Sequence, residues 1–148
     1  MSDLVFSVTG TNENPTKFVA KARNFTLTID EPDTFGGTDQ GANPVEFLLA
    51  AYAGCLNVMA HIVAREMRFK LNKLEIKVEG TLNPAKVLGQ ASPDRAGYKE
   101  IRVSLFPDAD VDQSTLDTWF ESVEARCPVN DNLSHTTPIT VNIVKKQG

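Results

Sequence analysis

The sequence predicts an α+β fold in which mostly antiparallel sheet wraps on helices. Three observations carry this. The expected order is three strands, a long apolar helix, two strands, a helix, a short helix and a last strand. The strict strand–helix alternation of a parallel doubly wound fold is missing. The stretch from Asn43 to Met67 is apolar on nearly every side, the pattern of a buried central helix. A chain of 148 residues, 41% of them hydrophobic, is long enough for one sizeable core, so a single domain over 1–148 is expected.

Each element has its own reason. Leu4–Val8 and Lys17–Ala22 read as short strands, with the polar TGTNENPT as the hairpin turn between them. Phe25–Asp30 alternates apolar and polar, as a half-buried strand does. EPDTFGGTDQGANP is rich in Pro, Gly and Asp and reads as loop. Asn43 then suits an N-cap, Pro44 the first helical position and Glu46 a capping box, so a helix runs from there to about Arg68. Leu74–Leu82 and Lys99–Phe106 are strands, with an irregular segment over 83–96. A second helix opens near Ser114, with Leu116, Phe120 and Val123 at helical spacing. CPVNDNLSH makes a turn or short helix, and PITVNIV closes the chain as a strand.

The totals exclude some function classes. A net charge of −4 argues against a nucleic-acid binder and against an anionic membrane surface. MSDLVFSVTG has no basic n-region and no long apolar run, so no signal peptide is expected. A cytoplasmic setting follows, where two cysteines are more often reduced, catalytic or metal-bound than structurally bridged. Phe47–Ala64 matches the shortest membrane spans in length, but it is rich in Ala and Gly, holds Asn57 and His61, and stands alone. The buried-helix reading is preferred, with no membrane partner. One chain of this size hardly supplies cover for such a helix on all sides, so a homodimer with intertwined halves is expected.

Cys55 lies in the middle of that helix. Asn57, His61 and Arg65 form one polar stripe, and Cys55 falls about 200° from Asn57, facing the interior. It is either a small buried hydrophobe or a nucleophile with restricted access. Cys127 precedes Pro128 at the expected start of a short helix, beside Arg126, where a thiolate is stabilised. Its plain alternative is a small residue in a tight turn. If the fold joins them, the two thiols form a pair that cycles between dithiol and disulfide. Glu46 is the capping residue first, and an orienting or activating carboxylate second. His61 and His135 make poor metal spacing with the cysteines, so no metal is expected. A Cys127–His135 thiol hydrolase remains as a weaker alternative. Gly36 and Gly37 do not form a phosphate loop.

Taken together, NPVEFLLAAYAGC and, about seventy residues on, RCPVNDNL resemble the OsmC/Ohr family of thiol-dependent peroxidases. FTLTIDEPDTFGGTDQGANPVE, DRAGYKEIRVSL and TPITVNI extend the resemblance over most of the chain. The resemblance implies two intertwined chains, with sheets around long central helices and a site at the dimer interface. It implies that Cys55 attacks the peroxide O–O bond and becomes a sulfenic acid, which Cys127 resolves to a disulfide. Organic hydroperoxides are the implied substrates, with Leu48, Ala51, Tyr52 and Met59 as an apolar lining around Cys55. A cellular dithiol is the implied reductant, and no cofactor or metal is implied. The family's peroxidases carry an arginine in the early hairpin and a glutamate directly after Asn-Pro. Here residues 1–20 hold no arginine, Val45 stands at the glutamate position and Glu46 follows one step later. This Val-Glu pattern resembles a less characterised branch. Lys17, Arg23 and Arg95 are the candidate replacement cations. An unassisted thiol has a pKa near 8.5 and burial raises it, so without a cation little thiolate is expected at Cys55. A non-catalytic small-molecule-binding or redox-sensing dimer is the alternative function on the same fold.

Overall fold

The computed structural model describes residues 1–147. It is α+β, with antiparallel sheet and three α-helices. Strands β1 (Thr9–Asn12), β2 (Phe18–Ala22) and β3 (Phe25–Ile29) form one antiparallel sheet in that order, in registers Thr9↔Lys21 and Ala22↔Phe25. Helix α1 (Pro44–Glu66) follows, then β4 (Leu71–Thr81) paired with β5 (Glu100–Ala109). Helices α2 (Gln113–Arg126) and α3 (Pro128–Ser134) complete the order. The chain divides into two compact units, residues 1–51 with 78–102 and residues 52–77 with 103 onward.

The first unit is organised by Asp30, which is fully buried. Its carboxylate accepts hydrogen bonds from Thr16 Oγ1 at 2.8 Å, Glu31 N at 2.8 Å, Gln40 N at 3.2 Å and the Thr38 hydroxyl. The loop after β3 therefore folds back over the end of that strand. Gly37 and Gly41 are needed there, because a Cβ at either would run into the backbone of Glu31 or Thr28. The loop delivers the chain to α1 through a reciprocal cap: Glu46 N donates to Asn43 Oδ1 and Asn43 N to Glu46 Oε2, both at 2.9 Å.

In the second unit, Tyr52, Leu56, Ala60, Val63 and Ala64 form the buried stripe of α1. Trp119 and Val123 of α2 are buried in the same unit. The Trp119 indole N–H donates to Ala60 O at 2.9 Å, and its ring meets Phe69 edge-on at 6.2 Å between centroids. Arg126 adds a forked pair with Glu66, at 2.6 and 3.1 Å. The last turn of α1 closes with Phe69 N on Ala64 O and Arg68 N on Arg65 O, with Arg68 in the left-handed region at φ 62°.

Two expectations are corrected. Leu4–Val8 is not a strand, and the first strand instead runs through Thr9–Asn12, which reads as turn. The chain reverses later because the Asn14 side chain accepts from the N–H of Thr16 and Lys17, at 3.0 and 2.7 Å, and makes the turn itself. PITVNIV forms no strand either. Its alternation is that of a strand, but among the described residues no neighbour completes its hydrogen-bond ladder. As expected of one chain of this size, α1 is not covered on all sides: only 28% of its most apolar window is buried within this chain, and Val58 is 57% exposed.

Two outcomes test these contacts. Leu56→Ala, at a fully buried position, is expected to cost about 2–5 kcal/mol in urea unfolding. Burial pushes the Asp30 carboxyl up, but hydrogen bonds from Thr38, Thr16, Glu31 and Gln40 outweigh it and hold it well below the usual carboxylate range. Its stabilising contribution is therefore complete above the unfolded value near ~3.9 and is lost as pH falls toward the folded value. The urea midpoint should drop below about pH 4, and Asp30→Asn should unfold earlier at pH 7 yet converge with wild type in acid. Parallel pH curves for the two proteins would remove Asp30 as the cause.

Candidate active site

The site lies in the second unit, where α1 presents Cys55 to the junction of α2 and α3. Cys127 is at once the C-cap of α2 and the N-cap of α3, with φ −79° and ψ 113°. Pro128 fixes the first position of α3, where no N–H is needed. The Cys127 Sγ accepts from Asn130 N at 3.4 Å, and the Cys127 carbonyl takes Asp131 N at 3.0 Å. The two sulfurs stand 2.9 Å apart as free thiols, with Cys127 donating. Cys127 is 1% exposed, whereas Cys55 is half-buried.

Burial pushes the Cys55 thiol up, and so do the hydrogen bond and charge of Cys127, while the Val129 N–H favours its thiolate. The net direction is upward, and no cation is among these influences. The three candidate cations lie in the first unit. Lys17 binds Glu13 at 2.8 Å and Gln40 at 2.7 Å, Arg23 stacks over the Phe25 ring at 4.9 Å, and Arg95 is exposed. Glu46 has its backbone and carboxylate in the Asn43 cap, and its charge raises the Tyr98 hydroxyl after burial has done so.

The histidines do not join the thiols. His61 is exposed on the stripe with Asn57 and Arg65, its Nδ1 2.9 Å from Asn57 O. His135 caps the far end of α3 from Cys127, about 10 Å along the axis, and sits 3.3 Å from the Asp131 carboxylate. A Cys127–His135 nucleophile–base pair is thus not assembled. Among the described residues no cluster of three or more His, Cys, Asp or Glu could hold a metal.

Tyr52 and Asn130 complete the site, and sequence reasoning missed their roles. Tyr52 was expected only as apolar lining, but its hydroxyl donates to Asn130 Oδ1 at 2.6 Å. The available signal was general: a buried tyrosine needs a partner for its O–H. The partner, 78 residues away, left no local trace.

The chain matches the OsmC-like protein family over residues 37–142, more than two thirds of its length. It belongs to that family. It is 21% identical to the hydroperoxide reductase of Mycoplasma pneumoniae, over 95% of each chain. Its fold is similar to the crystal structure of an OsmC-like protein from Mycoplasma pneumoniae, with a TM-score of 0.79 at 21% identity over 91% of each chain. It is similar too to an organic hydroperoxide resistance protein OsmC from Legionella pneumophila, with a TM-score of 0.64 at 18% identity over 90% of this chain and 91% of that one. These likenesses establish the OsmC-like fold.

The geometry makes a dithiol whose members meet without rearrangement of the helices. In iodoacetamide titrations read by peptide mass, alkylation of Cys55 should stay slow at neutral pH and climb above the ordinary thiol range. Cys127→Ser removes one source of the upward push, so the profile should move to lower pH without losing the effect of burial. An alkylation rate at pH 7 already half its alkaline plateau would contradict the upward direction.

Proposed function

We propose that this OsmC-like protein is a thiol-dependent peroxidase that reduces organic hydroperoxides. The observation that carries the reading is the 2.9 Å contact between Cys55 and Cys127, one thiol half-accessible and the other enclosed. Hydroperoxide reductase and organic hydroperoxide resistance protein, the names of two relatives, agree with it. The Cys55 thiolate attacks one peroxide oxygen. The O–O bond breaks, alkoxide leaves and takes a proton as alcohol, and Cys55 becomes a sulfenic acid. Cys127 then attacks that sulfur, water leaves, and a disulfide forms. A cytoplasmic dithiol returns both sulfurs to thiols. Glu46 acts at the start of α1, as its cap or in an ion pair at a subunit interface.

The working unit in this reading is a homodimer. The uncovered apolar side of α1 supports this, as do two exposed segments, residues 4–8 and 138–144, which are rich in apolar side chains yet form no strand pair among the described residues. A second copy supplies both cover and ladder partners.

Little thiolate exists at Cys55 at neutral pH, because burial and Cys127 push its thiol above the ordinary range. Turnover should therefore be modest at pH 7 and rise nearly tenfold per pH unit into the thiol range. The decisive experiment is intact mass and thiol count after one equivalent of cumene hydroperoxide. Wild type should lose two thiols and two hydrogens, and Cys127→Ser should trap one oxygen on Cys55. Both thiols staying reduced over minutes would overturn the peroxidase. The small-molecule binder would then take its place, for which the first unit offers an apolar hollow of about 330 Å³ lined by Phe35, Val45, Leu82 and Val87.

A further inference from the structure

The contact between the sulfurs depends on where the first turn of α3 sits, and one side chain ties that turn to both neighbouring helices. Asn130 Oδ1 accepts from the Tyr52 hydroxyl of α1 at 2.6 Å. Asn130 Nδ2 donates to Glu124 O in the last turn of α2 at 3.3 Å, and Asn130 N donates to the Cys127 sulfur at 3.4 Å. Tyr52 lies three residues before Cys55 on the same helix, so its hydroxyl and the Cys55 sulfur have a fixed relation. Tyr52 is buried and Asn130 half-buried, so water competes weakly for this bond.

We propose that Tyr52 and Asn130 form a polar clamp that holds the Cys127 sulfur against Cys55, which makes them positioning residues for disulfide formation. Neither side chain exchanges electrons or protons with the sulfurs. The clamp raises the effective concentration of one sulfur at the other. The sulfurs must approach by about 0.9 Å more to reach the S–S bond length. The clamp keeps α3 from drifting before that bond forms. Its catalytic consequence rests on the peroxidase reading: with the clamp loosened, Cys55 sulfenic acid forms as before but meets Cys127 more slowly, and more of it is carried on to sulfinic acid.

The placement itself is tested without peroxide, by equilibrating full-length protein with glutathione redox buffers and measuring the Cys55–Cys127 disulfide by mass. The reaction is balanced: two protein thiols and one glutathione disulfide give one protein disulfide and two glutathione thiols. Tyr52→Phe should lower the equilibrium constant by roughly five- to tenfold, the factor expected for one hydrogen bond, and Asn130→Ala, which also loses the bond to Glu124 O, by at least as much. The double variant should lose no more than Asn130→Ala alone, within about twofold, because Asn130→Ala already removes the Tyr52 bond along with the one to Glu124 O. Tyr98→Phe, which removes a tyrosine hydroxyl bonded to Val45 O in the first unit, should leave the constant at the wild-type value. An unchanged constant in a folded Tyr52→Phe protein overturns the clamp. Should that variant not fold, Asn130→Ala, at a half-exposed position, decides the matter alone. If wild type forms this disulfide with glutathione but ignores hydroperoxide, the peroxidase fails and the clamp stands.

Discussion

Everything at the site depends on how Trp119 seats α2 against α1. Its ring is buried beside Phe69, and its N–H is satisfied by a carbonyl in the C-terminal half of α1, Ala60 O. The aromatic body supplies non-directional attachment, while the single N–H bond selects the position along α1 at which α2 rests. Two turns beyond Trp119, the end of α2 becomes Cys127, and five residues before Ala60 on α1 stands Cys55. Slipping α2 by one turn would move Cys127 by about 5.4 Å and abolish the sulfur contact. The exposed Arg126–Glu66 fork acts in the same direction near the ends of both helices, but a solvent-screened pair of this kind contributes little stability.

The first unit is built on a different principle, a buried charge fully surrounded by donors. A carboxylate with no exposed surface is tolerable only when hydrogen bonds replace its water, and Asp30 draws them from a hairpin turn and from the loop after β3. That loop has no apolar core of its own, and its glycines remove side chains where backbone must pass close to backbone. Asp30 thus gives a Gly-rich segment one conformation, and the chain arrives at Asn43 ready to cap α1.

Features set by neighbours in sequence were legible. The Asn43–Glu46 cap follows from residues three apart, and β3 and β5 follow from alternation in sequence, with β5 alternating in burial along its length. The pairing of the cysteines was legible through the family resemblance, because no local rule connects positions 55 and 127. What failed required a partner at a distance. The alternation of Leu4, Phe6 and Val8, or of Ile139, Val141 and Ile143, says which side chains want burial and not what buries them. Thr9–Asn12 was hidden for the opposite reason: its composition is that of a turn, and only its register with β2 makes it a strand. The Tyr52–Asn130 bond is a similar case, with both residue types ordinary in their own segments.

The electrostatics leave one tension in the dithiol, and access resolves it. A charge on Cys127 raises Cys55, so the pair resists carrying two charges and at most one thiolate is present under ordinary conditions. The backbone offers an N–H to each sulfur, from Asn130 to Cys127 and from Val129 to Cys55. The turn of α3 therefore presents one backbone donor to each sulfur. A hydroperoxide must still reach the sulfur it oxidises. Cys127 is enclosed at 1% exposure, so in the proposed peroxidase a charge resting there is unproductive and only charge on Cys55 leads to reaction. Across a 2.9 Å contact a proton moves only a short way, so in the proposed peroxidase the enclosed thiol is placed to exchange a proton with Cys55 before it attacks as a nucleophile. A cation brought to Cys55 from outside this unit, for instance by a second copy of the chain, would then act by shifting the shared charge toward the accessible sulfur, without having to create a thiolate from an isolated buried thiol.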